Sequence, residues 1–220
     1  MIYKLFLFCI CTLTYISTTI HATAEPAGRV TLGIGGTSVG PAAEGGIWLH
    51  PNFRLRGVVA GGFSMTGNTS FEGTDAEFDV GLGGVAVLAD YYPNESGWRF
   101  SAGVFYSDIE GVAVADASDG GFVYNGITFD GDERLEATAR FRNRVSPMLT
   151  TGYDIFIDRN VSISGEIGAI LTGGIRLTAR GNSAVLQAAL DADADVQQAI
   201  RDARSYRVYP YASIMARIKF

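Results

Sequence analysis

The chain has 220 residues, 47% of them hydrophobic and 18% charged, with a formal net charge of −6. That length suits one domain of ordinary size, and the acidic balance excludes a protein that holds nucleic acid by charge. Both cysteines, Cys9 and Cys11, lie in the first apolar stretch, so the rest of the chain offers no disulfide, thiolate nucleophile or thiolate metal site.

Met1 to Lys4 is short and basic, Leu5 to Ile20 is apolar and Thr-rich, and Ala22-Thr23-Ala24 precedes Glu25-Pro26. This order predicts a secretory signal peptide over 1–24, cleaved after Ala24, and a single domain over 25–220. As a retained anchor the apolar run is marginal, because a spanning helix needs about 20 apolar residues. Phe8 and Ile10 precede the cysteines, where a lipoprotein signal needs a small residue. Removing 1–24 takes Lys4 and His21 with it, which moves the charge from −6 to −7 and leaves His50 as the one histidine. No later stretch is a long apolar run, so no membrane helix is expected.

Strand-like segments then alternate with turns. Eight are expected, at about 29–37, 43–50, 53–64, 77–91, 98–109, 138–156, 161–177 and 206–220. Pro51-Asn52, Tyr92 to Gly97 and Ile157 to Asn160 are tight connections, and so is Ser38 to Ala42. The connections 65–76, 110–137 and 178–205 are longer. Short turns at one end and long loops at the other is the layout of a membrane β-barrel.

Most strands have one apolar and one polar face. In the closing strand, Phe220, Ile218, Ala216, Ile214 and Ala212 oppose Lys219, Arg217, Met215, Ser213 and Tyr211. Val161, Ile163, Ile167 and Leu171 oppose Ser162, Ser164, Glu166, Thr172 and Arg176. Leu55 and Val59 oppose Arg54 and Arg56; Phe100 and Val104 oppose Arg99 and Ser101. Over 138–156 the polar row is Thr138, Arg140, Arg142, Arg144, Ser146, Thr150 and Asp154. Between 77 and 91, Phe78, Val80 and Leu82 share a parity with Asp90, which predicts a bulge at Gly83-Gly84.

Alternation alone fits a soluble barrel with the apolar face inside as well as a membrane barrel with it outside. The aromatic residues decide. Phe53, Trp98, Tyr153 and Phe220 sit at the short-turn end, and Phe63, Phe78, Tyr106 and Phe141 at the long-loop end. Ten steps from Phe53 to Phe63 span roughly 33 Å of strand, or about 25 Å of height when tilted, which matches an apolar band between two aromatic girdles. The expected fold is therefore all-β: a transmembrane eight-stranded antiparallel up-and-down barrel with the apolar face in lipid.

Two loops carry structure of their own. Phe122 to Phe129 reads as a hairpin about Asn125-Gly126. Asn182 to Arg204 reads as one short helix in the last extracellular loop, capped by Asn182 or Ser183, with a stripe at Val185, Ala189, Ala192, Val196, Ala199 and Ala203.

Leu88-Ala89-Asp90-Tyr91-Tyr92-Pro93, Trp98-Arg99-Phe100-Ser101-Ala102-Gly103, Tyr124-Asn125-Gly126, Val145-Ser146-Pro147, Gly152-Tyr153, the charged helix and Tyr209-Pro210 together resemble the ornithine-uptake (CarO-type) outer-membrane porins. The resemblance covers nearly all of the chain after the leader. It implies an outer-membrane location, an eight-stranded barrel and uptake of small solutes, basic amino acids among them. The terminal Phe220, with Ile218 and Ile214, is on the same ground the closing-strand signal read by the barrel-assembly machinery. The implied partners are outer-membrane lipid, that machinery and small solutes, and not nucleic acid.

The candidate chemistry is a lumen charge row: Arg54, Arg56, Arg99, Arg140, Arg142, Arg144, Glu166, Arg176 and Arg217, with Lys219, Glu44, Asp154 and Asp90 on the same side. Such a row is either a net-positive eyelet that selects solutes or an ion-pair ladder that plugs a barrel of this width. Asp191-x-Asp193-x-Asp195 approaches a calcium-loop pattern, but Val196 stands where that loop needs Gly, so a solvated helix face is expected and no metal or cofactor. A lone His50, expected at the short-turn rim and pointing inward, argues against a serine–histidine enzyme. The expected function is a small porin-like channel; the alternative is a structural or interaction barrel with a plugged lumen, acting through its extracellular loops.

Overall fold

The computed structural model describes residues 28–71, 74–94, 97–116, 122–124, 127–129 and 132–220, so the expected leader lies outside the described residues. In chain order it holds β1 (Val30–Thr37), β2 (Gly40–His50), β3 (Phe53–Phe71), β4 (Thr74–Tyr91), β5 (Trp98–Ser107), β6 (Glu110–Asp116), β7 (Phe122–Tyr124), β8 (Ile127–Phe129), β9 (Arg134–Phe141), β10 (Val145–Phe156), β11 (Val161–Leu171) and β12 (Ile175–Gly181). Helices α1 (Ala184–Ala192) and α2 (Ala194–Ala203) follow, and then β13 (Val208–Lys219).

Eight antiparallel strands close on themselves in the order β1-β2-β3-β4-β5-β10-β11-β13, with β13 pairing back to β1. Closure removes the unpaired edges that a flat sheet would expose. The turns at 51–52 and 157–160 and the link from Tyr91 to Trp98 lie at one end. Apolar side chains face out along every barrel strand: Ile167 is 65% exposed and Ile214 68%. On β10 they run from Val145 to Ile155 and on β11 from Val161 to Leu171. Each run is ten steps, about 25 Å of height at barrel tilt. Phe53 stacks on Tyr91 and Trp98 meets Tyr153, at ring-centroid distances of 5.0 and 5.3 Å, forming a girdle at the short-turn end. No described helix is long and apolar enough to cross a membrane.

Above the barrel the wall continues on one side only. β4 leaves β5 after Gly84 and pairs with β6, β6 pairs with β9, and β9 with β12. The upper halves of β3 and β4 with these three strands form a five-stranded half-barrel, while β1, β2 and β13 stop at the rim. The expected loop over 65–76 is thus mostly strand, because β3 and β4 stay paired from Phe53↔Tyr91 to Phe71↔Thr74.

The two longest expected strands, 138–156 and 161–177, are broken at this rim, and the expected strand 98–109 ends there. Residues 108–109 separate β5 from β6, 142–144 separate β9 from β10, and 172–174 separate β11 from β12. At the last break Gly173 and Gly174 have φ of 72° and 114°, a backbone that favours glycine. The bulge expected at Gly83-Gly84 lies instead on the partner strand. Ala60 pairs with Gly84 and Phe63 with Leu82, so Gly61 and Gly62 together oppose Gly83.

These breaks shift the alternation by one residue in β3, between β10 and β9, and between β11 and β12. Phe141 and Ile175, cross-strand partners, face inward with Leu135 and Ala179. The expected upper girdle is therefore corrected. Phe141 is buried inside, Phe63 and Phe78 share the inner face with Leu82 and Val80, and Tyr106 alone of the four points to lipid.

Residues 182–204 form two helices rather than one. Ser183 caps α1 by accepting from the Leu186 amide, and the Asp193 carboxylate caps α2 by accepting from Asp195 and Val196. The buried stripe is Leu186 and Leu190, which pack with Phe129 against Tyr124, Leu135, Ala179 and Val196; Val185 is exposed. β7 and β8 pair as the expected hairpin, and its two turn residues lie outside the described ones.

Candidate functional site

Barrel strands point every second side chain inward, and the lower half of the interior is ionic. Glu44 comes from β2, Arg54 and Arg56 from β3, Asp90 from β4, Arg99 from β5, Asp154 from β10, Glu166 from β11 and Arg217 from β13. All eight are buried, and Asp90 and Arg99 have no exposed surface. Arg54 Nε and Arg56 Nε hold the two oxygens of Asp90 at 2.8 and 2.9 Å. Arg56 reaches on to Glu44 Oε2 at 3.3 Å and to Glu166. Arg99 Nη2 donates to Glu166 Oε2 at 2.9 Å, and its Nη1 to Ser164 Oγ at 2.7 Å and to Asp154. Arg217 joins Asp154 Oδ1 at 2.7 Å to Glu44 Oε2 at 3.0 Å. Four guanidinium groups and four carboxylates thus make one closed belt with no net charge. Thr150 and Ser213 donate to Glu166, and the Tyr92 hydroxyl donates to Asp154 at 2.8 Å. Burial of this much charge is sustainable because each ion meets several partners.

β1 supplies no charge but supplies room. A Cβ on Gly33 would come within 2.9 Å of the Glu44 Cγ and 3.1 Å of the Arg217 Cγ. A Cβ on Gly152 would lie 3.0 Å from Arg99 Nη2. At the short-turn end Trp48 and Tyr92, 4.8 Å apart, close the belt, with the Arg54 guanidinium 5.7 Å from the Trp48 ring.

Over the belt lies an apolar layer that the sequence reading missed. Val39, Val58, Ala60, Ala86, Leu88, Phe105, Met148, Ile170 and Tyr211 are all buried in the upper interior. The signal was present: Leu88, Phe105 and Met148 share the inward parity of Asp90, Arg99 and Thr150.

The structure brings together Arg54, Arg56, Arg99, Glu166 and Arg217 of the expected charge row. It does not bring in Arg140, Arg142, Arg144 or Arg176. Arg140 is half-buried on the outer face of β9, Arg176 is exposed opposite it on β12, and Arg142 and Arg144 are exposed in the break between β9 and β10. The shift in alternation at the rim is the reason: their parity matches the lumen only if the strands run unbroken. The expected positive excess in the lumen disappears with them. His50 is exposed rather than inward, and its Nδ1 accepts from the Asn52 amide at 3.3 Å. Ile214, Ile218 and Phe220 all face outward, and the Phe220 amide donates to the Val30 carbonyl at 2.9 Å where the barrel closes. Among the described residues no group of three or more His, Cys, Asp or Glu could hold a metal ion.

No family model and no curated protein matches the chain. Solved structures do match, two of them of Acinetobacter baumannii proteins. The crystal structure of Acinetobacter baumannii CarO2 is 16% identical, with a TM-score of 0.59 over 89% of this chain and 100% of that one. That of Acinetobacter baumannii CarO is 19% identical, with a TM-score of 0.56 over 90% of this chain and 100% of that one. Closed eight-stranded topology, an outward apolar band and this likeness together show a β-barrel of the fold seen in the CarO structures.

Proposed function

We propose that this protein is an occluded outer-membrane barrel whose work is done by its extracellular half-barrel and helices, not by conduction through the lumen. One observation carries the reading: a charge-balanced belt under a continuous apolar layer fills the interior across its whole section. An eight-stranded barrel is just wide enough for side chains to fill, and here they do. A hydrated solute crossing it would have to separate buried ion pairs and displace Leu88, Phe105 and Met148. Liposome swelling with amino acids and sugars tests this: rates equal to protein-free vesicles support it, and swelling above them overturns it.

The second reading is a small porin for solutes such as amino acids. The likeness to CarO-type barrels supports it, and the same swelling assay decides between the two. A planar-bilayer recording adds the selectivity: with a neutral belt, any conductance should show weak ion preference.

The rest of the assignment rests on the sequence. Residues 1–24 act as a leader removed after Ala24, which amino-terminal sequencing of the membrane-inserted protein would check. The closing strand, ending at Phe220, is the handle for barrel assembly; deleting Phe220 should lower the inserted fraction without changing the total made. No catalytic role is assigned, since among the described residues the one histidine left after removal of the leader has only a backbone amide as hydrogen-bond partner.

A further inference from the structure

The arginines left out of the lumen form a cluster of their own. Arg140 and Arg176 are direct cross-strand partners. Like charges so placed repel and destabilise a sheet unless something lies between them. Arg142 and Arg144 follow in the break below Arg140, and the Arg142 amide donates to Gly174 at 2.9 Å, next to the start of β12. Among the described residues none of the four guanidinium groups makes a hydrogen bond or an ion pair. Glu110 is the cross-strand partner of Arg140 on its other side, and Asp108 and Glu110 line a depression with Arg140 and Arg144. Two carboxylates against four guanidinium groups leave the cluster at +2.

Its height is fixed by the strands beneath it. Val145, directly after Arg144, is the last lipid-facing residue of β10, and Leu171 ends the lipid-facing run of β11 below Arg176. The cluster therefore sits on the outer wall immediately above an apolar band about 25 Å tall, at the level of lipid headgroups. The inner face of the same strands is occupied by Phe141, Ile175, Leu135 and Ala179, so Arg140 and Arg176 point away from the half-barrel and toward the surrounding leaflet, and Arg142 and Arg144 are exposed beside them.

We propose that Arg140, Arg142, Arg144 and Arg176 form a binding site for the phosphate groups of anionic lipid headgroups in the leaflet around the barrel. Guanidinium presents paired donors that match phosphate oxygens. Basic residues at a membrane surface gain from anionic lipid at this depth. The lipid source, rather than a soluble phosphate, follows from continuity: an acyl chain attached to a phosphate held here would lie on Val145, Tyr106 and Leu171, which are bare.

The test uses the refolded barrel in a neutral detergent, with phosphatidic acid as probe and native mass spectrometry as readout. The wild-type protein should retain phosphatidic acid in preference to phosphatidylcholine. Replacing all four arginines by Gln should weaken retention by at least about tenfold, the loss expected when several cation–phosphate contacts go. A control with Arg134, Arg180, Arg201 and Arg204 changed to Gln should retain the lipid. Equal retention by the cluster variant, equal loss in the control, or displacement of the lipid by millimolar inorganic phosphate would each overturn the proposal. Should the fourfold variant fail to fold, judged by heat-modifiable gel mobility, R142Q/R144Q leaves both strands intact and should still lose a measurable share of the lipid.

Discussion

Glu166 shows how the belt is held. Its two oxygens meet Arg56, Arg99, Thr150 and Ser213, so it is the most shared carboxylate in the interior. Glu166→Gln keeps the shape but leaves the belt with one buried positive charge in excess, and removing one partner from a buried ion network costs about 3–5 kcal/mol. Urea unfolding of the barrel in lipid vesicles should show that loss. On the other side of the wall, Ile167 points to lipid at mid-height; Ile167→Arg should cost about 2–4 kcal/mol in the same assay, although the two positions are adjacent in sequence. Residue by residue, this in-or-out code was legible wherever a strand ran unbroken, and Arg54, Arg56, Arg99, Glu166 and Arg217 all fall inside as parity predicts. What parity could not supply was pairing. Which carboxylate meets which guanidinium depends on register around a closed ring, and a single chain's alternation carries no register between distant strands.

At the scale of elements, the strand positions were legible and their rim breaks were not. A period of two identifies a strand but loses phase across an extra residue, and that is why Arg140 and Arg176 were expected inside. The cap above the barrel was half legible. The hairpin and helical stretch were visible as separate pieces, but their contact through Phe129, Leu186 and Leu190 is tertiary. The tie between them is the Tyr124 hydroxyl, which donates to Asp193, the cap of α2. Tyr124→Phe should remove about 1 kcal/mol of local stability. Faster amide hydrogen exchange over 122–129, with unchanged unfolding of the barrel, is the expected result. Burial, aided by that hydrogen bond, pushes the Tyr124 hydroxyl above its ordinary value. A raised folded value stabilises below the unfolded one and is lost as pH rises through it. The tie should therefore outlast a free tyrosine as pH is raised, and hydrogen-exchange protection of the hairpin should fall only at strongly alkaline pH.

For the molecule as a whole, the proposed occluded barrel makes the two fillings of the interior redundant barriers. Trimming the apolar layer with Leu88→Ala and Phe105→Ala leaves the belt intact, so bilayers holding that double variant should stay as silent as those holding the wild type. Steady conductance from it would mean that the ion pairs alone do not seal the lumen. The sequence reading named both a filled and an open interior, and only the apolar half of the filling was missed. The glycine pair at 61–62 has a final consequence. It inserts one residue into β3 opposite a single Gly83, and Gly62 sits at a φ of 77°. A side chain there should cost about 1–2 kcal/mol of backbone strain. Excising Gly62 altogether would place Phe63 two positions after Ala60, which is an ordinary strand spacing and keeps both on their present side. At this one spot, shortening the polypeptide should do less harm than decorating it, the reverse of the usual ranking for a β-strand.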